Sequence, residues 1–277
     1  MKQVYICTDT ITGLYSAIHD AWKECRDKDA GIEIRGRTQQ QLFCEYRTVA
    51  ECESKAERLE RMIKRYLGYN AYWDIYHALL SPEADKGTAV FKTIQEARNI
   101  RDSRKIMDHL GNPDVAKVFA MSRSVSNEAH MYEEFIRFRE LENGILFSEI
   151  TPKAQVLTCV ADHFTDRFPL ENWMIYDKSH GVFLVHRARE SWGLVWGETL
   201  DEAQAGKVSE KEKEYERLWS GFFRSISIKE RENPGCQRNH LPLRYRDQMP
   251  EFRGRSREPH RDQRNARAGN EVSGTGT

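Results

Sequence analysis

The stretch WMIYDKSHGVFLVH, residues 173–186, decides the fold class. Two runs rich in β-branched and aromatic residues, Trp173–Tyr176 and Val182–His186, flank the polar sequence DKSHG at 177–181. Runs of this kind joined by a short turn predict two antiparallel strands. The stretch therefore indicates a hairpin, around which the rest of a small sheet is built.

Similar runs continue on both sides of the hairpin. Ile145–Ile150 and Leu194–Trp196 are predicted strands, which makes residues 145–196 an antiparallel meander. A helix around Val156–Phe168 interrupts it, and a charged helix from Ser209 to about Phe223 follows it.

The preceding part of the chain has helical periodicity. We predict a helix over Leu14–Glu24 with Thr12 as its cap, and a helix from Cys52 with Tyr66 on its apolar face. Further helices are predicted over Tyr69–Leu80, Lys86–Leu110 and Pro113–Leu141, the last with Asn112 as its cap. Strands are predicted at Val4–Cys7, Ile32–Ile34 and Leu42–Tyr46. A helical N-terminal half followed by a small antiparallel sheet with flanking helices indicates the α+β class. We expect one domain over residues 1–252, with 1–142 and 143–252 as alternative subdomains, and a disordered Arg-rich tail over 253–277.

Composition excludes several classes of protein. Apolar residues at 39% and aromatic residues at 10% are typical of a globular chain. Lysine plus arginine and aspartate plus glutamate balance at 43 each, so nucleic-acid binding would need local clusters. The six cysteines form no C-x-x-C pair, which argues against a metal site of that type. Since the N-terminus lacks an apolar signal region and no apolar run reaches membrane-spanning length, we expect a cytoplasmic protein without a bound cofactor or metal.

The segment NPGCQRNHLPLRYRDQMPEF, residues 233–252, is the first candidate site. Its two prolines at 234 and 242 predict a surface loop, because each removes a backbone donor and restrains the preceding residue. Arginine forks suit phosphate, and flat rings beside them can stack on a base. The predicted phosphate contacts are Arg238, Asn239, Arg244 and Arg246, and the predicted stacking residues are His240 and Tyr245.

The predicted helix Lys86–Leu110 supplies a second basic set. Its apolar face is continued by the basic residues Arg98, Arg101, Arg104 and Lys105. Such an arrangement fits a helix that begins buried and ends along a cleft. The alternative is a kink near Asn99–Ser103, with solvated basic side chains beyond it. Under the first interpretation, these residues bind phosphate opposite the segment 233–252.

Two further helices carry clustered polar side chains. His130, Glu133 and Arg137 lie close to the core face of Pro113–Leu141. Three interpretations are open. His130 and Glu133 form structural pairs with Arg137, or the three residues line a binding pocket, or His130 and Glu133 act as an acid–base pair or as metal ligands. Arg167 is a further candidate phosphate ligand. It belongs to a cluster with His163 and Asp166, for which the alternative interpretation is an ion pair on the helix surface. Asp9, at the end of the first strand, is interpreted as a turn or cap residue, and the alternative is an acid poised at a sheet edge.

Four long stretches carry a family resemblance. They are DTITGLYSAIHDAW (9–22), SRSVSNEAHMYEEFIRFRELENGILFSEI (122–150), ADHFTDRFPLENWMIYD (161–177) and ERENPGCQRNHLPLRYRDQMPEF (230–252). Together they resemble an uncharacterised bacterial family described as probable DNA metabolism proteins. Members of that family are associated with a radical-SAM protein linked to DNA repair or modification, and some are fused to a uracil-DNA-glycosylase-like domain. The resemblance implies a role in DNA repair or modification and supplies no catalytic residue.

The sequence lacks the motifs of both associated activities, base excision and radical-SAM chemistry. It holds no glycosylase motif, and the C-x-x-x-C-x-x-C sequence of a radical-SAM enzyme is missing, so either activity would belong to a partner. The leading hypothesis is therefore a DNA-binding accessory protein that holds substrate for a partner repair enzyme. The alternatives are an enzyme acting on DNA or nucleotide phosphates through His130 and Glu133, and a protein-interaction scaffold whose arginines pair with acidic residues.

Overall fold

The computed structural model describes residues 1–25, 27–38, 42–231, 233–246 and 249–252. These residues form helices and two sheets, which confirms the α+β class. The chain divides into two compact units, residues 1–209 and residues 210–277, and each is described by itself. The expected disorder of 253–277 concerns residues outside the described part of the chain.

The first sheet is parallel, a feature that the sequence interpretation missed. Its strands are β1 (Lys2–Cys7), β2 (Ala30–Ile34) and β3 (Cys44–Thr48), in the order β2–β1–β3. Helix α1 (Ile11–Cys25) carries the chain from β1 back to the start of β2. A crossover helix is the usual connection between parallel strands, so the predicted strand–helix–strand order already contained this arrangement.

Helix α1 begins close to the end of β1. The amide of Gly13 donates to Thr10 Oγ1 over 3.0 Å, so Thr10 caps the helix. A Cβ atom on Gly13 would lie 2.2 Å from Thr8 Oγ1 and 2.8 Å from the Thr8 carbonyl oxygen, which only glycine avoids. The helix consequently starts at Ile11 rather than at the predicted Leu14, and Thr10 replaces the predicted cap Thr12.

Four more helices complete the layer around the first sheet. They are α2 (Glu53–Tyr66), α3 (Gly68–Leu80), α4 (Lys86–Glu96) and α5 (Pro113–Phe135). Their apolar faces join β1, β2 and α1 in one buried core. The cap of α5 is as predicted, because the Asn112 side chain accepts from the amides of Asp114 and Val115.

The prediction of one helix over Lys86–Leu110 is wrong. Helix α4 ends at Glu96, and the chain resumes as a 3₁₀ helix over Ser103–Asp108. The Asp102 carboxylate accepts from the Arg104 amide, and Ser103 Oγ donates to the Tyr66 carbonyl oxygen over 2.7 Å. These bonds favour a turn over a continued helix.

The second sheet has five strands in the first unit. They are β4 (Arg139–Glu140), β5 (Leu146–Ile150), β6 (Trp173–Asp177), β7 (Val182–His186) and β8 (Gly193–Trp196), in that order. The predicted β6–β7 hairpin is confirmed. The meander is wrong at β5 and β6, which run parallel because α6 (Leu157–Arg167) crosses between them. The prediction that α5 extends to Leu141 is also wrong, since Arg139–Glu140 pairs with β5.

The first unit also includes the short helix α7 (Glu202–Ala205), and the second unit begins with helix α8 (Glu210–Ile226). The second unit continues through α9 (Pro234–His240) and 3₁₀ turns at Lys229–Arg231, Leu243–Tyr245 and Pro250–Phe252. The indole of Trp219 donates to Glu251 Oε2 over 3.0 Å, which ties α8 to the last turn. The expectation of one domain over 1–252 stays a prediction. Across the described residues, no helix is both long and apolar enough to cross a membrane.

Candidate functional site

A cavity of about 470 Å³ lies in the first unit, between the two sheets. Its walls come from the β1–α1 loop, the second half of α3, the start of α6, the β6–β7 turn and β8. Both β1 and β6 belong to parallel pairs, and both end at this cavity. β1 is also the central strand of β2–β1–β3: α1 connects it to β2 on one side, and the chain then reaches β3 on the other side. Ligands of open parallel sheets bind beyond the carboxyl ends of the strands at such a point.

Asp9 follows β1 and lies in the cavity wall. Its Oδ1 is 2.6 Å from Nζ of Lys86, a fully buried side chain that also donates to the Ser81 carbonyl oxygen over 2.7 Å. Burial lowers the pKa of the Lys86 ammonium, and the Asp9 carboxylate opposes that shift. Asp9 is thus held in place by an ion pair rather than by the turn or cap role predicted for it.

Asp177 and His180 form an acid–imidazole pair at another wall. Asp177 is the buried last residue of β6, and its Oδ2 is 2.6 Å from His180 Nδ1. Asp177 Oδ1 accepts from the amides of Ser179 and His180, so the turn fixes the carboxylate. A carboxylate that holds one imidazole nitrogen orients the ring and selects the tautomer whose other nitrogen is an acceptor. This arrangement suits hydrogen bonding to a ligand or proton transfer.

The remaining walls are apolar, aromatic or neutral polar. The Tyr76 hydroxyl donates to Thr158 Oγ1 over 3.0 Å, and the Gln155 side-chain amide donates to the Asp9 carbonyl oxygen over 3.1 Å. These bonds fix the orientation of groups from three separate elements. No lysine or arginine lines the cavity among the described residues, so its polar character comes from neutral groups, Asp9, Asp177 and His180.

A second feature is an exposed surface at the junction of α2 and α3. We call it the aromatic–basic face and define it as Lys64, Arg65, Tyr66, Tyr69, Trp73 and Arg104. Tyr66, Tyr69 and Trp73 are 56%, 67% and 51% exposed, which is unusual for three large rings so close in sequence. Lys64 Nζ lies 5.9 Å from the centre of the Tyr69 ring, and Arg65 Cζ lies 5.5 Å from that of Tyr66.

The 3₁₀ helix Ser103–Asp108 adds Arg104 to this face. Gly68 has φ +85°, a left-handed conformation that ends the helical path between α2 and α3. A Cβ atom at Gly68 would lie 3.9 Å from Arg104 Cγ, which places the arginine at the junction. The Ser103–Tyr66 hydrogen bond fastens the same connection.

Helix α3 connects the aromatic–basic face to the cavity. Tyr69, Trp73 and Tyr76 follow one another at spacings of four and three residues and share a helix face. The ring centres of Trp73 and Tyr76 are 5.7 Å apart, and Tyr76 lines the cavity. Seven residues of helix span about 10 Å, so the exposed rings lead directly to the cavity wall.

The basic residues predicted along Lys86–Leu110 do not lie on one helix. Arg98 pairs with Asp27 and lies 5.7 Å from the Trp22 ring, whereas Arg101, Arg104 and Lys105 flank or belong to the separate 3₁₀ helix. All four are exposed. Of this set, Arg104 is the residue that the structure brings beside exposed aromatic rings.

His130 and Glu133 lie on the exposed surface of α5. The His130 side chain is 68% exposed, with Nδ1 3.5 Å from Glu133 Oε2 and Nε2 3.2 Å from Glu134 Oε1. Arg137 donates to the backbone carbonyl oxygens of Glu134 and Ile136 instead of pairing with His130 or Glu133. Arg167 is exposed beside Phe168. The acid–base and phosphate-binding roles proposed for these residues stay predictions.

The segment 233–252 belongs to the second unit and is partly helical rather than a loop throughout. Arg246 donates from Nε and a terminal nitrogen to the Leu241 carbonyl oxygen, over 3.0 and 2.8 Å. Tyr245 is 5% exposed and accepts a bond from Arg244, so stacking of a base on its ring would require rearrangement. Arg238, Asn239 and His240 are exposed in α9. The expectation that this segment faces Arg98–Lys105 across a cleft stays a prediction.

No group of three or more His, Cys, Asp or Glu side chains in the described part of the chain is arranged to hold a metal ion.

Comparison with protein families gives one match. The model of the family "Domain of unknown function (DUF4130)" matches residues 84–251, more than half of the chain. The chain belongs to this family. The match begins just before α4 and includes α6, Asp177 and His180, but not β1, Asp9 or Tyr76. No curated protein matches the chain at a significant level.

Sequence reasoning missed Asp177, His180 and the rings of α3. The signal for Asp177 and His180 was an acid directly after the predicted strand Trp173–Tyr176, followed three residues later by a histidine in the turn. Tyr66 was assigned to the core face of its helix, but it is exposed. The spacing of Tyr66, Tyr69 and Trp73 beside Lys64 and Arg65 was visible in the sequence.

Proposed function

We propose that the protein binds single-stranded DNA through the aromatic–basic face, as an accessory to a partner enzyme of DNA repair or modification. The observation that carries the proposal is the set of three exposed rings beside the exposed Arg65 and Arg104; Lys64, next to them, is half-buried and pairs with Glu60. Proteins bind single strands by combining a basic surface for phosphates with rings on which bases stack. Duplex DNA hides its bases, so exposed rings favour a single strand.

The link to DNA rather than RNA comes from the family resemblance, which also suggests a radical-SAM or glycosylase-like protein as the partner. The near-neutral net charge fits a local binding surface better than general attraction to polyanions. Exposed rings are also typical of protein interfaces. The distinguishing property is salt dependence, because phosphate contacts release counterions.

The test is a fluorescence-anisotropy titration of a labelled single strand at several salt concentrations. Each phosphate contact contributes about 0.7 to the log–log slope for a single strand, so Arg65→Gln/Arg104→Gln should reduce the slope by about 1.4. Tyr69→Leu removes a stacking ring and should weaken binding about 5- to 100-fold with an unchanged slope. The same titration with duplex DNA and with RNA of matching sequence measures the preference among nucleic acids.

The chain offers two matched controls. Tyr215 on α8 is 57% exposed and has Lys211 Nζ 5.9 Å from its ring centre, the same separation as Lys64 and Tyr69. Tyr215→Leu should leave binding unchanged, as should Arg123→Gln/Arg187→Gln, which removes two exposed charges elsewhere in the first unit. Equal losses in the control and test variants would refute the assignment of the aromatic–basic face.

A further inference from the structure

We infer that the 470 Å³ cavity is a nucleobase-binding pocket, which receives a base from the strand held on the aromatic–basic face. This inference rests on the proposed function and extends it by naming the ligand class of a second site. The volume lies within the range of small-molecule pockets, about 300–1,000 Å³. The position at the carboxyl ends of parallel strands is the one where such sheets bind ligands.

The charge of the cavity walls selects a neutral ligand. No lysine or arginine of the described residues lines the cavity, and the wall carboxylate of Asp9 is already paired with Lys86. A phosphate or carboxylate in the cavity would find no lysine or arginine in the walls to pair with, and its desolvation would cost a large free energy. The basic side chains lie instead on the aromatic–basic face. This division of charge matches a nucleotide whose phosphate stays outside while its base is inside.

The polar groups of the walls are held in fixed positions, as recognition of a base edge requires. The Asp177 carboxylate orients His180, the Asp9 carbonyl oxygen holds the Gln155 amide, and Thr158 is bonded to Tyr76. These side chains come from different elements, so donors and acceptors surround the cavity. A flat ring with several donors and acceptors on its edge can use the polar atoms that these bonds leave available, such as the second ring nitrogen of His180, whereas a purely apolar ligand cannot.

Aromatic rings provide both a stacking surface and a route into the cavity. Tyr76 and Trp196 line the walls, and Trp196 is 63% exposed. Trp73 lies next to Tyr76, with 5.7 Å between ring centres, and continues the face that begins at Tyr69. A base leaving a strand bound at Tyr69 and Trp73 therefore reaches the cavity across neighbouring rings. Extruding a base from a single strand costs less than from a duplex.

The experiment uses free deoxynucleosides, so that it does not depend on DNA binding. Saturation-transfer NMR measures the binding of thymidine, deoxycytidine, deoxyadenosine and deoxyguanosine to the full chain, with each nucleoside at millimolar concentration. We expect at least one to give a saturable signal. Leu194→Trp places an indole at the cavity wall and should abolish the signal. Trp196→Ala, at a largely exposed position at the end of β8, should weaken binding at least about fivefold.

Two controls separate this site from the aromatic–basic face. Trp192→Ala removes an indole that donates to Asp162 and is not among the cavity residues, so it should not change nucleoside affinity. Tyr69→Leu should weaken the binding of single-stranded DNA and leave the binding of free nucleosides unchanged. Circular dichroism of each variant confirms that it is folded.

The outcomes are distinguishable. Absence of a saturable signal for all four nucleosides, or equal binding by wild type, Leu194→Trp and Trp196→Ala, overturns the pocket assignment. If DNA binds while nucleosides do not, this inference alone fails. If nucleosides bind in the cavity while no single strand binds the aromatic–basic face, the pocket stands as a site for free nucleosides, and the proposed DNA-binding function fails.

Discussion

Replacing Lys86 by methionine tests the ion pair that supports the cavity. Lys86 is fully buried, with Nζ 2.6 Å from Asp9 Oδ1 and 2.7 Å from the Ser81 carbonyl oxygen. Methionine keeps most of the length of the side chain and removes its charge and its donors. The substitution therefore leaves Asp9 without its buried counter-charge and the Ser81 carbonyl oxygen without its donor.

The expected loss follows from these two contacts. Removing one partner of a buried ion pair costs about 3–5 kcal/mol. The Asp9 side chain is 26% exposed and has Arg37 3.9 Å away, so we expect the lower end of that range, about 3 kcal/mol. The lost hydrogen bond to Ser81 adds about 1 kcal/mol. Lys86→Met should therefore lower the free energy of unfolding by about 4 kcal/mol.

Urea unfolding at pH 7, followed by circular dichroism, measures this loss and the coupling between the partners. Asp9→Asn/Lys86→Met should cost at least about 1.5 kcal/mol less than the sum of the two single substitutions, because each removes the same interaction. Lys117→Met is the control, since Lys117 makes an exposed ion pair with Asp85 that contributes about 0–1 kcal/mol. A loss below about 1 kcal/mol for Lys86→Met, or additivity within about 0.5 kcal/mol, would refute the reasoning.

Two further predictions concern pH and backbone packing. Burial lowers the pKa of His77, so below pH 6.5 the unfolded chain takes up a proton that the folded protein does not. The free energy of unfolding should therefore fall from about pH 6.5 down to the folded pKa, by at most about 1.4 kcal/mol per pH unit. His77→Gln should remove this part of the dependence in urea titrations at pH 7 and 5, and an undiminished pH effect would contradict it. Gly13→Ala should cost about 1–3 kcal/mol, because its Cβ would overlap Thr8. Gly221→Ala in α8 meets no described atom within 4 Å and should instead stabilise by about 0.5–1 kcal/mol, so similar melting shifts in the two variants would argue against the close packing at Gly13.

Local patterns were sufficient to predict most elements. Trp173–Tyr176 and Val182–His186 are rich in β-branched and aromatic residues and have turn residues between them, and they form the predicted hairpin. Asn112 and Pro113 were correctly assigned to the start of a helix because capping involves neighbours in sequence. The pairing of β5 with β6 was mispredicted because strand direction depends on the path of the connection, and α6 provides a crossover.

The candidate site depended on contacts that periodicity does not contain. Helix α4 ends where it does partly because Ser103 bonds to Tyr66, 37 residues earlier in the chain. Asp9 and Lys86 are separated by 77 positions, and neither residue alone indicates a buried ion pair. The cavity likewise collects residues from the β1–α1 loop, from α3 and α6, and from the second sheet. By contrast, the rings of α3 were visible in the sequence, but no role was assigned to them.

The close contact between α4 and β2 has a consequence for the boundary of the family match. Residues 84–251 begin two positions before Lys86, and a Cβ atom on Gly87 would lie 2.6 Å from Ile32 Cγ2. Val90, Phe91 and Ile94 are buried in a core that includes β1, β2 and α1, all upstream of residue 84. A fragment limited to the matched residues would expose these side chains and should aggregate. The residues before 84 therefore complete a core that the matched residues share, and a stable fragment has to include them.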